Sequence, residues 1–151
     1  MAGTTPYTFT ALELLTAAKM NAIQTNMQVV LDAINEPVVI PLVLNTDVAL
    51  TAGDGLLQIH IPAKMNGWTI TGASLSRGGG TGTITVSLYN VTDSVDVFSS
   101  ALTLSSGNYS TTVTINTAND DTATGDRFRV DIDGAGTSST YVTMNIHVTR
   151  P

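Results

Sequence analysis

Two kinds of hydrophobic spacing divide this chain. Met20, Ile23, Met27, Val30 and Ile34 recur at alternating steps of three and four, the spacing of the a and d seam of a coiled coil over about two heptads. Thr10 followed three residues later by Glu13 fits a capping box at the start, no Gly or Pro interrupts the stretch to Glu36, and Pro37 ends it. A helix this short is marginal alone in water. Its seam must therefore be buried either on the chain's own β domain or on other copies. The residues around the seam, Asn21, Gln24, Thr25, Asn26 and Gln28, are neutral where a helix standing free in water would carry charge, which favours self-association through Met20, Ile23, Met27, Val30 and Ile34.

After Pro37 the period falls to two. Alternating runs separated by Gly, Asn, Asp and Ser clusters predict strands at 38–44, 56–61, 68–76, 83–90, 95–104, 110–116, 127–133 and 141–149. Pro41 places the first of these at a sheet edge. The inward positions read directly: Leu57, Ile59 and Ile61; Ile84, Val86 and Leu88; Val113 and Ile115; Phe128, Val130 and Ile132; Val142, Met144, Ile146 and Val148. Thr83, Thr85, Ser87 and Tyr89 face the other way, as do Thr143, Asn145 and His147. In the run 68–76, Trp68 and Ile70 give way to Ala73 and Leu75, a change of phase that predicts a bulge near Gly72 and puts Trp68 with the core. The expected fold is mainly β. An N-terminal arm and a short, trimeric coiled-coil helix occupy 1–37, and an eight-stranded jelly-roll-like sandwich occupies 38–151, with an immunoglobulin-like sandwich as the alternative topology.

Composition sharpens this picture. The chain is 42% hydrophobic and only 12% charged, against about 25% charged in an average domain; Thr, Ser, Asn and Gly supply its polar surface. So few charges invite association, and controlled self-assembly is the natural resolution. A net charge of -6 with six scattered basic residues argues against a nucleic-acid partner. Arg127 and Arg129 are the close pair, on one face of a strand. Without cysteine there is no disulfide framework and no thiolate ligand or nucleophile. The start, MAGTTPYTFT, lacks the basic and apolar regions of a signal peptide, and no apolar run is long enough to span a bilayer. Membrane insertion is not expected, and release within a virus particle would carry the protein out of a cell without a secretion signal. Tyr7 and Phe9 give the arm two aromatics with which to dock.

Candidate chemistry is sparse. The glycines at 78, 79, 80 and 82 precede a strand and no lysine follows them, so a hairpin loop is favoured over a phosphate loop. His60 and His147 carry no metal-ligand spacing, and no serine sits in a nucleophile elbow. Glu13 and Glu36 fall at the two ends of the helix, so a glycosidase pair would have to be aspartates. Asp93 with Asp96, and Asp120, Asp121 and Asp126 with Asp131 and Asp133 beyond, match no calcium loop and are ordinary turn residues. No catalytic residue, metal or cofactor is expected, and the chain reads as non-enzymatic.

The segment from Phe9 onward, FTALELLTAAKMNAI, resembles the N-terminal helix of many structural proteins of tailed bacteriophages, where a phrase of the form LTAAxxN follows a short arm. The run AGDGLLQIHIPAKMNGWTITGASLS is similar to β domains of phage tail, fibre and head-surface proteins. The resemblance covers about a third of the chain. It implies a homotrimeric virion-surface protein, a capsid decoration, head fibre or short tail fibre, with arm and helix bound to other capsid or tail proteins and the β domain displayed outward. Tyr7 and Phe9 are then the expected anchors. The competing reading is a carbohydrate-binding or adhesin module contacting a host surface glycan, for which Tyr89, Tyr109 and Tyr141 are the candidate stacking residues.

Overall fold

In the computed structural model, residues 17–34 and 37–151 are described. The chain divides into two compact units, Met1–Asn35 and Glu36–Pro151. In the first, the heptad spacing does form a helix, α1 (Ala17–Ile34). The capping pair Thr10 and Glu13, the aromatic arm with Tyr7 and Phe9, and the expected helix end at Glu36 lie outside the described residues.

The second unit is mainly β, with one short 3-10 turn at Ala63–Met65. In chain order its strands are β1 (Val38–Val43), β2 (Gly53–His60), β3 (Thr69–Ser76), β4 (Gly79–Asn90), β5 (Val95–Asp96), β6 (Phe98–Ser100), β7 (Leu102–Leu104), β8 (Tyr109–Ser110), β9 (Thr114–Ile115), β10 (Arg127–Thr140) and β11 (Thr143–Thr149). One antiparallel sheet runs β1-β11-β3-β8 and the other β2-β10-β4-β5, with β7 continuing along β4; β6 and β9 form a small third ribbon. The pairings nest: first strand with last, β1 with β11; then β2 with β10, β3 with β8, and β4 with β5 and β7. Pro41 sits on β1 at the end of the first sheet's order, where its missing N–H costs no ladder bond.

The two sheets share one core, which is what makes the unit sandwich-like. Ile70, Ala73, Leu75, Met144, Ile146 and Val148 come from the first sheet, and Ile84, Val86, Leu88, Phe128, Val130 and Ile132 from the second. Leu57, Ile59, Val113 and Ile115 are half-buried at its margin. The phase change in β3 is a bulge: Gly72 pairs with His147 and Ile70 with Val148, leaving Thr71 as the extra residue.

Several local expectations are revised: the run 110–116 is strand only at its two ends, in β8 and β9, and the strand expected at 127–133 continues as β10 to Thr140. The run 95–104 is broken into β5, β6 and β7 because Val97 and Phe98 are both buried although adjacent. Val97 gives its N–H to Leu88 while its carbonyl accepts from Asn116, so the chain passes from one neighbour to another at that residue. The expected glycine loop 78–82 is largely strand, since Gly79 and Thr81 pair with Thr140 and Thr137 at the far end of β10. The close approach explains the glycines there. A Cβ on Gly80 would lie 2.6 Å from the Ser138 carbonyl oxygen, and one on Gly136 would lie 2.6 Å from Ser139 Oγ; both residues have positive φ. Trp68, read as core, is half-buried and packs on the core's edge.

Candidate functional site

The seam that the heptad spacing predicts lies along α1. Met20, Ile23 and Met27 are 50%, 37% and 59% exposed. Thr25, beside them, turns its hydroxyl back to the Asn21 carbonyl at 2.9 Å, leaving no polar group of its own to compete for the seam. Val30 and Ile34 belong to the same helix, but their side chains lie outside the described residues. The helix thus presents apolar side chains to solvent at the positions where a coiled coil would bury them.

The three tyrosines are not brought together. Tyr89 lies on β4 in the second sheet, and its ring is covered by the Arg129 guanidinium at 4.7 Å. That arginine is held in turn by Asp131, whose carboxylate oxygens lie 2.9 and 3.0 Å from Nε and which also accepts the Gly55 N–H at 2.7 Å. Tyr89 is therefore a partner of Arg129 and not an open platform. Tyr109, on β8, pairs in register with Ser76 of the first sheet, is exposed, and borders a hollow of about 420 Å³ lined by Ser105, Ser106 and Thr112. Tyr141 is exposed at the turn into β11, with positive φ, and packs beside Gly78.

The aspartates serve the scaffold. Asp126 is buried and accepts the Ala123 N–H at 2.8 Å; Asp93 accepts from Asn90 Nδ2 at 2.9 Å and Asp133 from Ser87 Oγ at 2.6 Å. Among the described residues no group of three or more His, Cys, Asp or Glu is placed to hold a metal ion. The histidines lie on different sheets: His60 is exposed opposite Arg127, whereas His147 is half-buried with Nε2 3.4 Å from Ser74 Oγ. Arg77, unremarked in the sequence, is buried and donates to the Gly107 and Gly82 carbonyls at 3.1 and 2.6 Å, tying the turn at Gly107 and the start of β4 to the end of β3.

One cluster was not anticipated. At the other end of β3, Thr69 pairs with Thr149, which brings Arg150 to Trp68; its guanidinium lies 5.1 Å from the indole centroid. Lys64, from the short 3-10 turn Ala63–Met65, and Pro151 complete a hollow of about 490 Å³ around them. The backbone beneath is pinned. Thr122 donates its N–H to the Trp68 carbonyl at 2.8 Å, its hydroxyl bonds the Met65 carbonyl, and Trp68 N–H bonds that same carbonyl at 3.3 Å. No carboxylate side chain lines the hollow, and neither cation has an ion-pair partner among the described residues. Sequence inspection missed this group because Trp68 and Arg150 become neighbours only through the pairing of β3 with β11.

Set against protein-family models, curated proteins and solved structures, the chain finds no match.

Proposed function

We propose that this chain is a non-enzymatic structural protein of a phage virion, a homotrimer held by its N-terminal helix, with the sandwich displayed at the particle surface as a decoration or fibre. The observation that carries the reading is the uncovered seam of α1: Met20, Ile23 and Met27 are exposed on a helix that belongs to a different compact unit from the β core. Burying a methionine or isoleucine side chain yields about 1.5–3 kcal/mol, so three copies meeting along this seam gain far more than a monomer leaving it wet. Additional support comes from the likeness of the helical segment and of the stretch around Trp68 to phage structural proteins.

The nested strand pairing supports the jelly roll over the immunoglobulin-like alternative. With β5 to β7 taken as one broken strand and β8 with β9 as another, the eight strands pair first with eighth, second with seventh, third with sixth and fourth with fifth. That is a long antiparallel ribbon rolled on itself, the arrangement of two Greek keys in a jelly roll. A closed, weakly charged module of this kind suits a surface that must persist outside cells.

Attachment is assigned to the arm, with Tyr7 and Phe9 as anchors: exposed ion pairs yield only about 0–1 kcal/mol each, whereas an aromatic buried at an interface centre contributes about 2 kcal/mol or more. Three arms on one stalk would bind multivalently. Antibody labelling of intact particles tests the location, and co-sedimentation of a Tyr7→Ala/Phe9→Ala protein tests the anchor. Release of that double variant from particles, with its β-sheet circular dichroism and oligomeric state unchanged, is the expected result; wild-type stoichiometry on particles would move the anchor to the sandwich.

A further inference from the structure

We infer that the outer face of the first sheet, centred on Val39, Pro41 and Val43 of β1, packs against the same sheet of neighbouring copies. This rests on the self-assembly proposed above and adds a second contact to it. Val38, Ile40 and Leu42 turn to the core, so Val39 and Val43, 48% and 61% exposed, face outward with the exposed Pro41 between them. The turn after β1 adds the exposed Val48, and the exposed Tyr141 joins that turn by donating its N–H to the Thr46 carbonyl at 2.6 Å. Every large hydrophobic exposed in the described β domain, Tyr109 of β8 included, lies on this sheet or in a turn beside it. Apolar side chains gathered in this way mark an interaction surface, whereas scattered single ones do not.

Two observations make a second copy the occupant. The first is charge. β1, β11, β3 and β8 contain no Asp, Glu, Lys or Arg, whereas the strands of the second sheet carry Asp54, Asp96, Arg127, Arg129, Asp131 and Asp133. Chains of net charge -6 repel one another, and a face without carboxylates is where two of them can meet; interface cores are depleted of charge in the same way. The polar groups of this face already bond one another. Ser76 Oγ and Thr143 Oγ1 lie 2.6 Å apart, and Ser74 Oγ is 3.4 Å from both Asn145 Nδ2 and His147 Nε2, so covering these groups costs little. The second observation is area and connection. A specific interface covers about 800 Å² on each partner, and five seam side chains at roughly 60–120 Å² each supply about 300–600 Å². The remainder has to come from another surface. Only three residues separate Ile34 of α1 from Val38 of β1, a span of at most about 14 Å, so the apolar stripe lies on the strand tethered to the seam. Its few side chains add to the seam and are too small a surface to hold copies together alone.

The full-length protein is compared with Val39→Lys/Val43→Lys and with Gln58→Lys/His60→Lys, which places the same two side chains at exposed positions of β2 on the second sheet. Dissociation constants are read by sedimentation velocity across a concentration series. The first variant should assemble about tenfold or more weakly, and the second like the wild type. Val39→Thr/Val43→Thr keeps β-branched side chains on the strand and removes apolar surface; it should weaken assembly about threefold, and it decides the matter if the lysine variant loses its β-sheet circular dichroism. Wild-type affinity in the folded variants, or equal weakening by both lysine pairs, overturns the proposal. Wild-type affinity with a lowered unfolding midpoint also overturns it, by assigning the face to a segment of the same chain. A monomeric wild type would remove the trimer reading along with this one. A trimer that Ile23→Lys/Met27→Lys dissolves and Val39→Lys/Val43→Lys leaves at wild-type affinity would remove this inference alone.

Discussion

Ile84, Val86, Leu88, Leu104 and Val130 of the sandwich are fully buried, whereas Met20, Ile23 and Met27 of the helix stand between 37% and 59% exposed. Both sets were equally periodic in the sequence. The difference teaches that periodicity names the side of an element to be covered but not what covers it. A strand's apolar face meets the opposite sheet of the same chain, because ladder bonds fix the strand in a layer and a second layer follows. A helix satisfies its own backbone and so carries its seam wherever a partner is found. The sandwich is accordingly closed on itself, and the helix is an invitation.

That comparison can be broken most forcefully from the closed side. Phe128 is 1% exposed and belongs to the shared core, so Phe128→Ala should cost about 3–5 kcal/mol in denaturant unfolding of the β domain. A loss under about 1 kcal/mol would mean that the core tolerates a cavity and is not closed as described. Somewhat smaller is the effect expected at the close approach of β4 and β10. Gly136→Ala combines a left-handed backbone with the 2.6 Å clash on Ser139 Oγ, and a loss of about 1–3 kcal/mol is expected by the same measurement.

From the open side the expectation reverses. Ile23→Lys with Met27→Lys should abolish assembly, read by sedimentation velocity, yet shift unfolding of the β domain by no more than about 0.5 kcal/mol once the protein is compared at low concentration. A large shift would show that the helix is part of the sandwich's own stability. Among the substitutions within the β domain the smallest effect is assigned to the second sheet's surface, where Arg129→Gln removes the stack on Tyr89 and the pair with Asp131; about 0.5–1 kcal/mol should be lost, decreasing with added salt.

Much of the sandwich was legible in the sequence because apolar and polar residues alternate from Thr83 to Tyr89, from Arg127 to Asp133 and along β11. The inward residues of β4, β10 and β11 could be read off directly, and the bulge announced itself in the step from Ile70 to Ala73. The break of 95–104 was written in the same way, in Val97 beside Phe98, but without a glycine to mark it the change of phase passes for a longer strand. Residues 78–82 misled because glycine serves close backbone approach as readily as it serves a turn. The hollow at Trp68 was illegible for a different reason. Its cations come from a 3-10 turn and a strand end far apart in the chain, and only the register of β3 on β11 unites them.

The central claim is that α1 holds three copies together, and the mass of the full-length protein in solution tests it most directly. Multi-angle light scattering at roughly micromolar concentration, the tight end of ordinary assembly, should return three times the 15.7 kDa chain mass. The Ile23→Lys/Met27→Lys protein should return 15.7 kDa under the same conditions. A wild-type protein that is already 15.7 kDa there would contradict the account, and a double variant that keeps the wild-type mass would place the interface elsewhere than the seam.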